Sequence, residues 1–333
     1  MRQLATIRKI KEINPIKNAD AIEVATVDGW QVVIKKDDFK VGDTIIYFEI
    51  DSWIPTELAP FLSKGKEPRI YNDIKGERLR TIKLRKQISQ GLILPFNILP
   101  NSSNYTLGDD VSDILGIQKW EREIPAELRG QVKGDFPNHT PKSDQERIQN
   151  IYDEYKELYN DEYEASLKLD GTSCTIFVKD LELGVCSRNL ELKINEENKD
   201  NTYVKIALEF EETLFKLNRN ISIQGELMGS KIQGNREQLK THKLFVYNIW
   251  DIDEQRWFNS KERLDFCEKY GFDIAPILGI MRPFDFTLEE LLKKSEIPSM
   301  VHLIAEGIVY KNIKNPSISF KAINNKFLLK GGD

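Results

Sequence analysis

Lys168 has the most distinctive chemical setting in the chain. It opens the string Lys168-Leu169-Asp170-Gly171, at the end of an apolar run and the start of a glycine turn, with Thr172-Ser173-Cys174-Thr175 following. A lysine so placed is a covalent nucleophile if nearby positive charge or desolvation makes its ammonium acidic. The bare K-x-D-G pattern is expected by chance in roughly one chain in ten of this length, so its company decides its meaning. That company arrives in order: Ser187-Arg188-Asn189, then Gln224-Gly225-Glu226-Leu227, then Phe245-Val246-Tyr247-Asn248-Ile249. Ala305-Glu306-Gly307-Ile308-Val309 and Ser319-Phe320-Lys321-Ala322-Ile323 complete the series. Other chemistries are weaker. Cys174 has no histidine near it in sequence, His242 and His302 read as structural or surface residues, and no GxxxxGK[ST] phosphate loop occurs.

These segments need a scaffold. From 163 onward strands and helices mix. Glu164–Lys168, Thr175–Val178, Ile221–Glu226 and Leu244–Ile249 read as strands, as do Gly307–Tyr310 and Ser317–Ile323. Thr202–Leu217 and Ser260–Tyr270 read as helices. Ser143-Asp144-Gln145-Glu146 has the spacing of a capping box, and Ile148, Ile151, Tyr152, Tyr155, Leu158 and Tyr159 follow at helical spacing, predicting a helix over about 144–159. The sum is an α+β domain built on antiparallel sheet.

The first hundred residues differ. Ala5–Ile10, Ile22–Val27, Gln31–Ile34 and Thr44–Ile50 are short β-branched runs separated by turn signals, with Asp28-Gly29 a strong hairpin marker. Arg78–Arg85 has strand-like spacing and Gly91–Pro95 reads as a buried strand. About five short strands predict a small OB-type β-barrel, a class that commonly binds oligonucleotides. Prolines 100, 125, 137 and 141 mark a linker. The expected organisation is therefore 1–100 OB-like domain, 101–142 linker and 143–333 catalytic domain.

Composition sets the outer limits. With 333 residues, 40% hydrophobic and 30% charged, two soluble domains are expected. No apolar stretch approaches a membrane span, and Met1–Thr6 does not open a secretory signal. Cys174, Cys186 and Cys267 form no CxxC pair and the three histidines are scattered, which argues against zinc and a disulfide framework. A reducing compartment, by default the cytoplasm, fits. The net charge is −5, but Lys64–Lys86 holds nine basic and three acidic residues. That local field can attract a polyanion, and Arg78, Arg80, Lys83, Arg85 and Lys86 are its candidate phosphate contacts.

The six segments from Lys168 to Lys321 together resemble motifs I, Ia, III, IIIa, IV and V of the covalent nucleotidyltransferase superfamily of polynucleotide ligases and capping enzymes. The resemblance covers about 140–330. Only seven residues follow Lys326, so the C-terminal OB domain of DNA ligases and capping enzymes is not expected. The barrel comes first instead, as in template-dependent, nick-sealing RNA ligases, and Phe136-Pro137 with Pro141–Asn150 is similar to the start of that branch's catalytic domain.

The resemblance implies three steps. Lys168 attacks the α-phosphate of ATP to form lysyl-AMP and release pyrophosphate, AMP passes to an RNA 5′-phosphate, and a 3′-hydroxyl displaces AMP. It also implies roles. Asp170 contacts the ribose or a metal-bound water, at the Gly171 turn. Arg188 holds the ribose or the RNA 5′-phosphate. Glu226 and Glu306 bind ribose or hydrated Mg2+ or Mn2+, Tyr247 stacks on adenine, and Lys321 contacts the α-phosphate. The metal set is then Asp170, Glu226 and Glu306. Three departures stand out. Ile323 occupies the place of a second motif V lysine, for which Lys326 or Lys330 could substitute. Tyr247-Asn248 replaces the more usual Phe-Asp, and Ser166 stands where many DNA ligases have an adenine-reading Glu. The expected function is ATP-dependent sealing of 3′-OH/5′-phosphate RNA ends, at nicks in duplex RNA or an RNA/DNA hybrid, by a monomer with no membrane contact. The alternatives are a DNA ligase, a capping-type guanylyltransferase, or a non-catalytic nucleic-acid-binding protein.

Overall fold

The computed structural model describes residues 3–121 and 130–330. Its chain divides into two compact units, Met1–Glu123 with Leu328–Asp333, and Ile124–Phe327.

The first unit is an OB fold. Five strands lie in the order Leu92–Pro95, Thr44–Phe48, Ala5–Pro15, Ile22–Val27, Trp30–Lys35, all antiparallel. The long first strand pairs with Thr44–Phe48 through Ala5–Lys9 and with Ile22–Val27 through Ile10–Pro15, and its register shifts between Ile10 and Glu12. Such a bulge bends the strand and lets one sheet curl towards closure. At the open side, the Gln90 N–H donates to Gln31 O at 2.7 Å and the Val33 N–H to Ser89 Oγ at 3.0 Å. The Asp28-Gly29 turn forms as expected: Val27 pairs Trp30, and Asp28 takes a φ of 49°. Alternation buries Trp30, Val32 and Ile34 on one face.

Two expectations change here. Arg78–Arg85 is not one strand: Ile74–Arg78 ends, the chain turns, and Ile82–Leu84 pairs with Gln87–Ser89 as a separate hairpin. Burial alternates only through Leu79 and Thr81; Ile82, Lys83 and Leu84 are all exposed, so no single strand face runs through the segment. Beyond Pro100, Val111, Leu115 and Ile117 pack into the same core as Ile7, Ile46 and Phe48. Their irregular spacing hid them, since buried loop residues carry no periodic signal. Pro125 and the first two residues lie outside the described residues.

The second unit holds two largely antiparallel sheets. The larger runs Val132–Asp135, Leu190–Leu192, Glu182–Cys186, Thr172–Lys179, Ile221–Met228, Lys243–Asp251 and Arg256–Trp257, with Asp273–Ile274 parallel to Lys243–Asp251. Its core face packs Ile176, Ile223 and Val246 against the helices Thr202–Lys216 and Ser260–Tyr270. The smaller runs Glu146–Arg147, Ser319–Ile323, Gly307–Asn312, Tyr163–Lys168, Ile277–Met281. Its core face packs Ala165, Tyr310 and Phe320 around Tyr163 and Phe284, under the helix Ile148–Leu158.

The capping box at 143–146 does not form. The helix begins at Ile148 with Arg147 at its N-cap and no side-chain cap. Glu146–Arg147 instead joins the sheet as a short parallel partner of Phe320–Lys321. Sheet pairing satisfies the backbone there and outcompetes a local cap that is worth about 1 kcal/mol. A genuine capping box does occur at Asn259 and Glu262. Among the described residues no helix is long and apolar enough to cross a membrane.

Candidate active site

Strand register assembles the site. Lys168 ends its strand opposite Gly307, and Gly307 lies opposite Ile323. One step back, Ser166 faces Val309, which faces Lys321, which faces Arg147. Directly paired residues share a face, as do residues two apart on a strand. Lys168, Lys321 and Arg147 therefore lie on the face opposite the core. Gly307 is required for this layout, because a Cβ there would sit 2.2 Å from Ala322 O.

The lysine is held by a carboxylate. Lys168 Nζ lies 2.6 Å from Glu306 Oε1, with side-chain exposures of 23% and 12%. On the larger sheet Glu226 stands opposite Ser173, and its Oε1 accepts the Gly171 N–H at 2.9 Å. Gly171 also has no room for a side chain, with Leu227 O 2.6 Å from a would-be Cβ. Asp170 Oδ2 accepts from Arg236 Nη1 at 2.7 Å. Each carboxylate thus has one oxygen engaged by the protein.

Burial pushes the Glu226 carboxyl up to about 7; Lys168 opposes the shift, and Glu306 and Asp170 add to it. This has a measurable sign. A carboxyl whose folded pKa exceeds the ordinary 4.5 costs stability once it must ionise. The cost is absent below pH 4.5, grows through the window to about 7, and is full above it. Glu226→Gln keeps an acceptor for Gly171 and removes the charge. It is therefore expected to stabilise the ligand-free protein at pH 8 by roughly 2 kcal/mol, with no gain at pH 4.5. Urea melts of both proteins at the two pH values check this, and equal gains at both would refute the burial account.

Tyr247 enters by a different device. The pairing between Ile221–Met228 and Lys243–Asp251 shifts register between Gln224 and Gly225, so Tyr247 is the extra residue of a bulge. Bulges re-aim side chains. The Tyr247 hydroxyl reaches Ser143 Oγ and Ser173 Oγ, both at 3.2 Å, and burial pushes its pKa up to about 12. Its carbonyl accepts from Lys311 Nζ at 2.5 Å and Arg263 Nη1 at 3.2 Å. Arg263 in turn pairs with Glu164 at 2.6 Å, both 4% exposed. Lys311 also donates to Asn248 Oδ1. Burial, with Arg263 beside it, pushes the Lys311 ammonium down to about 7.

Arg188 binds Asp144 through both carboxylate oxygens, at 2.7 and 3.0 Å, with both side chains exposed. Ser143 and Asp144 thus link Arg188 to Tyr247. Lys326 Nζ pairs with Glu296 at 2.7 Å, and Ile323 is buried. Cys174 is buried and its thiol pushed up, which disposes of a thiol nucleophile.

The basic residues of the first unit divide. Arg78 is withdrawn: its guanidinium pairs with Asp51 at 2.7 Å and lies 3.9 Å over the Trp120 ring. Arg80, Lys83, Arg85 and Lys86 are exposed. Partial burial and the neighbouring Arg78 and Arg69 lower the Arg80 pKa. Arg85 and Lys86 form the hairpin tip at φ 47° and 72°, a left-handed turn usually given to Asn and Gly.

Arg236, Asp144, Ser143, Arg147 and the Arg263–Lys311 pair escaped the sequence reading. Ser143 to Arg147 carried two visible signals, a cap-like spacing and a likeness to the start of the family's catalytic domain, but neither singled out a site residue.

The residues expected to bind metal fit a hard divalent cation in one specific way. Among the described residues no group of three acidic, histidine or cysteine side chains could by itself hold a metal ion. Two carboxylates near one lysine, one of them raised by burial and, to a lesser degree, by its acidic neighbours, suit a cation completed by phosphate and water oxygens, as Mg2+ and Mn2+ prefer.

Comparisons with known proteins agree with this geometry. A family model described as OB-fold domain matches residues 4–96, and one described as RNA ligase matches 161–323. A solved structure of Naegleria gruberi RNA ligase with pyrophosphate is 41% identical, covers 98% of each chain and superposes with a TM-score of 0.90. A mutant of that ligase with AMP and Mn is 41% identical over 98% of each chain, with a TM-score of 0.91. Another mutant, with ATP and Mn, is 41% identical over 100% of each chain, again at 0.91. No curated protein matched the chain.

Proposed function

The chain belongs to the RNA ligase family, and from that premise we propose that it seals 3′-OH/5′-phosphate nicks in duplex RNA or an RNA/DNA hybrid through a lysyl-AMP intermediate, using ATP and Mg2+ or Mn2+. The observation that carries the reading is the Lys168–Glu306 pair at 2.6 Å, with Glu226 bonded to Gly171, three residues past the lysine. Pure binding has no use for a half-buried lysine set among acids.

The chemistry follows from these residues. The Lys168 ammonium must lose a proton before Nζ can attack the α-phosphorus of ATP, and Glu306 Oε1 is the acceptor at hand. The N–P bond forms as the bond to pyrophosphate breaks. Lys321 and Arg147, on the same face, supply positive charge to the phosphate oxygens. Tyr247 presents its ring to adenine. In the second step an oxygen of the RNA 5′-phosphate attacks the lysyl-AMP phosphorus and Lys168 leaves; Arg188 orients that phosphate once it exchanges Asp144 for it. In the third the 3′-hydroxyl attacks the 5′-phosphorus and AMP leaves. Asp170, Glu226 and Glu306 would hold the divalent cation, which when bound adds positive charge where negative charge develops. A cytoplasmic setting fits three free, buried cysteines.

The test is incubation with α-labelled ATP or GTP and Mn2+, then with nicked duplex RNA. Labelled protein with ATP alone, chased into sealed RNA, is the expected result. A guanylate adduct, or adenylate that never reaches RNA, defeats the proposal.

The exposed hairpin gives a second expectation. Arg85→Ala with Lys86→Ala is expected to weaken binding of nicked duplex and to lower the slope of log K against log salt by about one unit per lost phosphate contact. Arg78→Ala is expected to leave the slope unchanged while lowering stability, since it removes the guanidinium that pairs with the largely buried Asp51. Filter binding at several salt concentrations decides; a slope that tracks Arg78 rather than the hairpin would reverse the assignment.

A further inference from the structure

Arg236 follows the short helical turn Gln233–Asn235 and was not among the expected site residues. One guanidinium makes four contacts. Nη1 donates to Asp170 Oδ2 at 2.7 Å, and Nη2 donates to Ile304 O at 2.9 Å and His302 Nδ1 at 3.0 Å. Its carbon lies 4.8 Å over the Phe327 ring. The Ile304 N–H also points at His302 Nδ1, at 3.1 Å, and Ile304 O lies 3.1 Å from the same ring nitrogen. The next residue, Glu237, is 5% exposed and accepts the Val301 N–H at 2.7 Å and the His302 N–H at 3.3 Å. Two consecutive side chains therefore grip the 301–304 loop.

What this loop feeds is the point. Ile304 stands two residues before Glu306, the partner of Lys168, and Asp170 stands two residues after Lys168. Arg236 thus ties together the two chain segments whose carboxylates flank the nucleophile. It occupies Oδ2 of Asp170 and leaves Oδ1 as the oxygen for a ligand. The backbone that delivers it is unusual. Lys231, Gln233, Asn235 and Gln238 all have φ between 41° and 66°, a region that costs non-glycine residues free energy and persists where surroundings impose it.

We propose that Arg236 is a positioning residue for lysine adenylylation, a strut that aims Asp170 and fixes the loop leading into Glu306. The proposal rests on the ligase reading above for its kinetic part and on structure alone for its loop part. Lys at this position keeps a charge for Asp170 but cannot hold three acceptors in one plane.

The experiment uses the full chain with Arg236→Gln, Arg236→Lys, Asp170→Asn and the Arg236→Gln/Asp170→Asn double variant. Single-turnover adenylylation by Arg236→Gln is expected to be at least tenfold slower, with the KM for ATP changed less than threefold and Arg236→Lys intermediate. In the Asp170→Asn background the same change is expected to cost clearly less than in the wild type, because one of its two targets is already altered while the loop contacts remain. The second readout needs no nucleotide or metal. Leu303 is 85% exposed, so chymotrypsin in EDTA, with the cut mapped by mass, reports release of the loop. Cleavage after Leu303 is expected at least fivefold faster in Arg236→Gln and less so in Arg236→Lys. Adenylylation within twofold of wild type, fully multiplicative effects with Asp170→Asn, or unchanged cleavage overturns the strut. If the wild type forms no adduct but the cleavage difference holds, the ligase reading fails and the strut survives.

Discussion

Lys168→Ala is expected to give no covalent adenylate, a loss of about 10⁴-fold or more, equivalent to ~5.5 kcal/mol or above in the barrier. The size follows from the type of role. A nucleophile that forms a bond cannot be approximated by its neighbours, whereas a residue that only stabilises charge leaves part of the rate behind. Lys321 shares the face but lies on another strand, across Val309 from Ser166. Alanine also strands Glu306, which is only 12% exposed, so a second variant is needed. Lys168→Arg retains a cation for Glu306 yet has no amine that deprotonates near neutrality. Both variants should fold, and neither should gain mass on incubation with ATP and Mn2+. An adduct that survives in either would move the nucleophile elsewhere, with Lys321 the first place to look.

The second large effect lies behind the site. Arg263→Ala is expected to destabilise the catalytic domain by about 3–5 kcal/mol, because it leaves the buried Glu164 carboxylate without its cation. For a domain of this size that corresponds to a melting temperature lower by roughly 10 °C. In the folded protein Arg263, Ser260 and Lys311 hold the Glu164 carboxyl below the usual range against the opposing effect of burial. Arg263→Ala also removes one of two cationic donors from the Tyr247 carbonyl, leaving Lys311. Glu164→Gln/Arg263→Met removes both charges together and should recover much of the loss, since replacing a buried pair costs less than breaking it. Thermal melts of the single and double variants test this; a single variant within about 1 kcal/mol of wild type would show that water reaches the pair.

What could be read in advance depended on range. The hairpin at Asp28-Gly29, the helix Ser260–Tyr270 and the strands around Lys168 and Lys321 are local patterns, and each formed where periodicity or turn chemistry put it. The order of polar segments was equally legible, since it needs no distances. Partners chosen by the fold were not. Arg78 sits in a basic run, yet Asp51 and Trp120, both distant in sequence, take it out of the solvent. Ser143 to Glu146 has faultless cap spacing, yet the strand edge at Phe320 is a better partner for its backbone. Arg236 gave no sign because its meaning comes from residues 66 and 68 positions away. The Tyr247 bulge is a register event between two strands and has no signature in either one.

The glycines of the site also bear on how this enzyme can change. Gly171 and Gly307 are confined by the carbonyl oxygens of Leu227 and Ala322, and backbone does not give way as a flexible side chain would. Mutational drift is therefore closed at both positions, whatever happens around them. Arg188 and Asp144, half exposed and paired with each other, are open to it. Directed evolution towards other nucleic-acid ends would lose most of its library by randomising the first pair and would find its variation in the second.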